Sequence, residues 1–418
     1  MGLEDLGRST AHPPTRRPFQ VMRRLLGPDR APRQYRLTRW LYLRALGITA
    51  LCAFASMAVQ AEGLFAAGGI MPAADFMERV REVADQRAWS GLERVLNVPT
   101  LLWLSASDDM ISALILAGLV LAVLLIADVL PGLAVLGLWL SYLSLITVGG
   151  VFFRYQWDIL LLEALLVSLF LAPWRLRPRL ASDTGPPLAG VWLVRLLACK
   201  LMLLSGVVKL RSGDATWAEL TALEYHFFTQ PIPTWTAYYA HHAPAWLLGL
   251  ATSLMLFIEL VLPWLVVGPR RLRMLFGLGT MFLMLGIGAT GNYGFFNLLA
   301  FALAIMLFDD SALRRLVPGR LRTFVPNPAD PDGSDAPGVA ARPPRRLTTW
   351  LAWCLAAPIL CLSALVAYQR VSPRSELGRE LTARIAPLMS INSYGLFAVL
   401  TTTRPEIELE GSRDGVTW

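Results

Sequence analysis

Two neighbouring runs decide how the chain reads: RYQWDILLLEALLVSLFLAPW at residues 154–174 and VRLLACKLMLLSGVVKLRSGD at residues 194–214. The first has Asp158 at its mouth and Glu163 inside an otherwise unbroken hydrocarbon stretch that ends at Trp174. The second holds Lys200 and Lys209, the only lysines among 38 basic residues. Keeping a compact, titratable ammonium at two sites where every other basic position is Arg points to a need for a point charge on a flexible stem. Ionisable groups inside a membrane are costly and have a partner or a task.

Composition makes these runs membrane spans. Hydrophobic residues make up 55% of the chain, charged residues 16%, and the mean hydropathy is +0.50. A soluble domain of this length carries more charge. The net charge of +8 falls between the spans, where orientation in a bilayer accounts for it and nucleic-acid binding does not. Cys52, Cys199, Cys354 and Cys361 all lie in apolar spans and read as small hydrophobes, with neither a disulfide framework nor a CxxC pair. No small-residue cleavage site follows the first apolar run, so a cleaved secretory leader is not expected.

Residues 1–40 are Arg- and Pro-rich and read as a basic cytoplasmic tail lying on anionic lipid. The pattern then predicts an all-α polytopic membrane protein, with about nine transmembrane helices between residues 41 and 370. The first span, 41–61, leads to an acidic external segment, 62–109, in which DFMERVREVADQRAWSGLERVL at 75–96 has the spacing of an interfacial helix. Spans at 110–129 and 131–149 form a hairpin around Asp128, Pro131 and Gly132. A span at 157–173 returns to Arg175, Arg177 and Arg179; the next, 190–209, opens into an external loop, 210–244. Spans at 245–267, 273–290 and 293–308 follow, with a turn at Thr290, Gly291 and Asn292, then a flexible cytoplasmic linker at 309–348 and a last span at 349–368. With the N-terminus inside, every basic inter-span loop is inside and the acidic segment outside, which puts the C-terminus outside. The spans at 157–173 and 293–308 are short enough to be re-entrant. Residues 371–418 read as a β-rich extracytoplasmic tail, alternating through PEIELEG and turning at Asp414 and Gly415.

In this topology Asp158 and Lys209 share one membrane face, and Glu163 and Lys200 lie deeper, roughly 9 Å below Trp157 and roughly 13 Å below Lys209 at 1.5 Å per residue. Two stacked ion pairs are the structural reading; a proton relay or catalytic acid and base is the functional one. Glu259 is a further carboxylate in an apolar run, with no partner evident, and Arg195 reads as snorkelling to the cytoplasmic face. The external loop gathers Asp214, Trp217, Glu224, Tyr225, His226, Gln230, His241 and His242. The H-x14-H-H spacing fits no compact zinc pattern, so no metal is expected, and the surrounding rings read as an interfacial aromatic belt. Asn292, Tyr293 and Asn297 read either as turn chemistry or as a polar pocket wall. No phosphate-binding loop of the GxxxxGK type, HExxH or GxSxG occurs, and no cofactor is expected.

Four long runs resemble the lipase maturation factor family: QWDILLLE at 156–163, SGVVKLRSGDATWAELTALEYHFFTQPIPT at 205–234, GNYGFFNLLAFALAIMLFDD at 291–310 and NSYGLFAVLTTTRPEIELEGSRDG at 392–415. The resemblance implies an integral membrane protein that helps exported clients such as lipases reach an active state. Animal members reside in the endoplasmic reticulum and share a helical core with the group containing the vitamin K-dependent carboxylase. The Arg-for-Lys bias looks bacterial, which would replace the reticulum by a cell membrane, and the chain is short at its C-terminus for the family. Tail residues Asn392, Tyr394, Arg404 and Glu406 fall in the matching runs. Two rivals remain: a carboxylase-like membrane enzyme using Glu163, Lys200 and His226 in one roomy cavity, and a small-molecule carrier.

Overall fold

The computed structural model describes residues 34–178, 180, 185–324, 346–372 and 376–417. Most of the basic tail at 1–40 and the centre of the 309–348 linker lie outside the described residues. The helices that matter for the site are α1 (Arg36–Leu64), α2 (Ala73–Gln86), α3 (Gly91–Asn97), α4 (Asp108–Ile126), α5 (Pro131–Val148), α6 (Gln156–Ser168), α7 (Leu188–Arg211), α8 (Ala222–Thr229), α9 (Trp235–His241), α10 (Ala245–Leu260), α11 (Arg270–Thr290), α12 (Phe296–Ile305), α13 (Arg346–Val371) and α14 (Arg379–Ile385).

Among the described residues, seven of these are long and apolar enough to cross a membrane: α1, α4, α5, α7, α10 with its 3-10 extension to Val267, α11 and α13. By this measure the expected count of nine is not supported. The runs at 157–173 and 293–308 form helices of only 13 and 10 residues, α6 and α12. The reason is their position. Leu160, Leu161, Leu162, Ala164 and Leu165 of α6, and Leu299, Ala300, Leu303 and Ala304 of α12, are fully buried. A helix enclosed by other helices need not match the hydrocarbon thickness, because protein rather than lipid meets its ends. The cysteines behave differently: Cys52, Cys354 and Cys361 face outward from the bundle.

Helix contacts order the bundle around that interior pair. Helix α1 packs against α4 and α12, α4 against α5, α6 against α5, α7 and α12, and α7 against α10 and α13. Small residues set the closest approaches. A Cβ at Gly118 of α4 would lie 2.2 Å from the Phe54 ring of α1, and a Cβ at Gly206 of α7 would lie 2.8 Å from Leu260 of α10. The second approach carries α10 near enough to α7 for Glu259 to reach across.

One end of the bundle is tied by arginine and aspartate. Asp310 accepts hydrogen bonds from the Arg36 and Thr38 amides at 2.8 and 2.9 Å, satisfying donors that open α1. Asp309 takes a two-point contact from Arg270, and Arg44 meets Asp128 at 2.6 Å. Arg195 does not snorkel: it is 2% exposed, donates to the Met306 carbonyl at 2.7 Å and lies 4.6 Å from the Tyr35 ring centre. The Met306 carbonyl, freed by the end of the short α12, supplies the acceptor.

Two local expectations change. The interfacial helix at 75–96 is broken into α2 and α3 at Ala88, whose φ of 50° ends one helix before Ser90 caps the next. The tail carries no strand among its described residues; it is a short helix, α14, followed by turns and extended irregular chain. A two-stranded ribbon is marginal without a third strand, and here the tail backbone is held by side chains of the bundle instead.

Replacing Gly118 with Leu is expected to lower stability by about 1–3 kcal/mol, the cost of overpacking a filled contact. Gly63→Leu, where a Cβ meets nothing within 4 Å, serves as the control. Thermal unfolding in detergent should separate the two variants.

Candidate functional site

The buried charge on α6 is a junction for four segments. Glu163 is 2% exposed and pairs through Oε1 with the Lys200 ammonium of α7. Its Oε2 accepts hydrogen bonds from the Asn392 amide at 3.0 Å and the Tyr394 hydroxyl at 2.7 Å. Lys200 also donates to Ser363 of α13 at 2.6 Å and sits 5.4 Å from the centre of the Tyr394 ring. The Asn392 side chain donates to the carbonyls of Ile159 and Met389 at 3.1 and 2.9 Å, and Ser390 accepts from the Trp139 indole at 2.9 Å. Tyr394 is thereby 1% exposed. The carboxylate and ammonium are both hydrogen-bonded beyond their mutual pair, the condition under which a buried pair is tolerated.

The expected Asp158–Lys209 pair does not form. Asp158, at the third position of α6, accepts from the amide of Tyr155 at 3.0 Å, capping its own helix, and from the Tyr142 hydroxyl at 2.6 Å. Lys209 turns the other way and meets both oxygens of Glu259 on α10, at 2.9 and 2.8 Å, beneath the Trp217 ring 5.5 Å away. The lone carboxylate of α10 is thus the complement of the second lysine of α7. That match was available in the sequence, once Asp158 was recognised as a helix cap.

Beside the Lys209–Glu259 pair lies a cavity of about 290 Å³ walled by α7, α8, α10 and α11, with Leu396 and Phe397 of the tail closing one side. Its polar edge is a short hydrogen-bond chain. Gln230 donates to the Thr290 and Phe227 carbonyls at 2.7 and 3.2 Å, Tyr293 donates to Gln230 Oε1 at 2.9 Å, and His226 Nε2 lies 3.0 Å from the Tyr293 oxygen. Burial, reinforced by the positive charge of Lys209, pushes the His226 imidazole down to about 4, so the ring is neutral at pH 7. Burial pushes the Tyr293 phenol up to about 12.

The other sequence-named residues hold the loop and the tail together. Burial would raise the Asp214 carboxyl, but the amides of Leu400 and Thr216 and the Thr216 hydroxyl outweigh it and hold the group below its ordinary value. The Leu400 contact, at 2.7 Å, ties the tail to the loop, as does Arg404, which donates to the Phe228 carbonyl at 3.0 Å and pairs with Glu406 at 2.9 Å. His241 packs edge-on against Phe228, and Tyr225 lies tilted beside the same ring. Glu224 sits in the first turn of α8 without joining the hydrogen-bond chain. Asn292 is turn chemistry, accepting from the Gly294 amide at 3.2 Å, whereas Tyr293 is cavity wall. Asn297 is on α12, with its side-chain oxygen buried. Glu163, Lys200 and His226 do not share one site: the cavity contains His226 but neither of the others.

The profile described as the lipase maturation factor transmembrane domain matches residues 37–315. Lipase maturation factor 2 of Gallus gallus is 40% identical over 298 residues, covering 69% of this chain and 40% of that protein. Lipase maturation factor 1 of Bos taurus is 31% identical over 392 residues, covering 90% of this chain and 67% of that protein, and the Homo sapiens factor 1 is 30% identical over 390 residues, covering 90% and 66%. The chain thus spans between two fifths and two thirds of the relatives it matches. No solved structure matches.

Breaking one member of the Glu163–Lys200 pair should cost more than breaking both. Glu163→Gln or Lys200→Met alone is expected to destabilise by about 3–5 kcal/mol, because each leaves a buried charge unpaired. The double variant should be nearer wild type than the sum of the single effects, as read by unfolding in detergent.

Proposed function

Because the chain belongs to the lipase maturation factor family, we propose that it assists exported proteins, lipases first among them, in reaching an active assembled form. The observation that carries this reading is the treatment of the segment from Met389 to Arg404. The buried Glu163 site and the loop after α7 hold it: Glu163 takes Asn392 and Tyr394, Asp214 takes Leu400, and the Phe228 carbonyl takes Arg404. Charges consumed in this way build a scaffold that presents a segment, and among the described residues they leave no free acid and base at a common centre. The enzyme alternative needed Glu163, Lys200 and His226 at one cavity, and they are divided between two places.

In this reading α2, α3, the 210–244 segment and the tail form the extracytoplasmic face, and the arginine-rich end faces the cytoplasm, which follows the bias of basic residues between spans. A bacterial cell membrane is the proposed location, supported by arginine at all but two of 38 basic positions. The exposed aromatic residues Trp235, Tyr238, Tyr239 and Trp246 suit a surface that meets the headgroup layer or a client.

The test is a co-expressed exported lipase, scored as secreted activity per mass of secreted lipase. Loss of this chain, or Asn392→Ala with Tyr394→Phe, should lower that ratio several-fold; an unchanged ratio refutes the assisting role. In a cysteine-free background, Thr229→Cys should react with an impermeant maleimide in intact cells, and labelling only after lysis inverts the proposed orientation.

A further inference from the structure

The cavity beside Lys209 has features of a ligand site that the scaffold role does not use. Its walls are overwhelmingly apolar, and two of its lining residues, Leu254 on α10 and Phe282 on α11, are also 42% and 62% exposed on the outside of the bundle. The neighbouring outward side chains Leu250, Phe257, Leu278 and Leu285 are exposed and apolar as well. The mouth therefore opens sideways between two spans, where hydrocarbon rather than water lies.

The polar chemistry inside selects the headgroup. Both amide hydrogens of Gln230 go to backbone carbonyls, so its Oε1 must accept, and the single Tyr293 proton goes to it. The Tyr293 oxygen then receives the His226 Nε2–H, which leaves Nδ1 as a bare acceptor. That nitrogen makes no hydrogen bond among the described residues and is not sealed in by protein atoms. The nearby charges are already spent: Lys209 directs its donors to the two Glu259 oxygens and, at 3.4 Å, to the Ser205 carbonyl. Among the described residues an anionic headgroup finds no free cation in the cavity lining, and an acceptor-only headgroup finds no donor at His226.

We propose that this cavity binds a neutral membrane lipid that carries a hydroxyl, entering between α10 and α11 and donating its O–H to His226 Nδ1. A diacylglycerol and a long-chain alcohol share this chemistry. The inference stands independently of the role in maturation, since it rests on the cavity alone.

The test uses photoactivatable, alkyne-tagged probes on the purified chain in detergent: a long-chain alcohol, its methyl ether, the matching fatty acid and a diacylglycerol. The alcohol and diacylglycerol should label peptides within 248–259 and 282–297 several-fold more than the ether or the acid. The stronger of the two identifies the source. His226→Phe should bring alcohol labelling down to the ether's level. Gly286 lines the cavity and a Cβ there meets nothing within 4 Å, so Gly286→Leu should fold, fill the space and reduce labelling by every probe. Leu254→Trp is the second occluding variant, used if Gly286→Leu loses its unfolding transition. Equal labelling by alcohol and ether, or labelling undiminished by a folded occluding variant, overturns the proposal.

Discussion

A carboxylate buried among leucines must be satisfied from within the protein, and in this chain that requirement organises the structure. Glu163 has no water to turn to, so α7 must bring Lys200, and the tail must bring the Asn392 amide and the Tyr394 hydroxyl. Lys200 in turn fixes α13, otherwise almost wholly on the outside of the bundle, through Ser363. One ion pair thus decides the positions of two spans and of a segment more than 200 residues away. Desolvating both charges offsets much of their attraction, so the pair adds less net stability than the loss of one member alone would cost.

The second pair follows from packing. Gly206 lets α10 approach α7, Lys209 and Glu259 meet across that contact, and the cavity lies against them. Where Glu163 is filled on every side by protein, the Lys209 site keeps an open space bounded by neutral hydrogen-bonding groups. The two lysines therefore serve different ends: one closes the scaffold, and the other helps wall a chamber whose mouth faces lipid.

Much of this was legible in the residues themselves. Two lysines among 38 basic positions, opposite a glutamate in an apolar run, predicted the Glu163–Lys200 pair because a membrane interior leaves few other solutions. The hairpin at Asp128 and the loop after Lys209 were marked by local turn chemistry. What the sequence hid depends on neighbours distant in the chain. Hydropathy reports that α6 and α12 are apolar but not that they are enclosed, so it does not foresee helices of only 13 and 10 residues. The alternation of PEIELEG suggests a strand, yet a strand needs a partner, and the segment before it is gripped by side chains. Asp158 has the same composition signal as Glu163, and only its place at a helix start made it a cap. Asp309 and Asp310 looked like the beginning of a linker; both are buried at 1% exposure and fasten the start of α1 and α11.

Glu163 holds the tail in the bundle, and the backbone amide of Asn392, bonded to its Oε2, reports on that hold directly. Hydrogen exchange of a peptide covering residues 388–397 should be strongly protected in the wild-type chain, and should rise toward the exposed-chain rate in Glu163→Ala, while peptides from α5 keep their protection. Unchanged protection of that peptide in a folded Glu163→Ala chain would contradict the account.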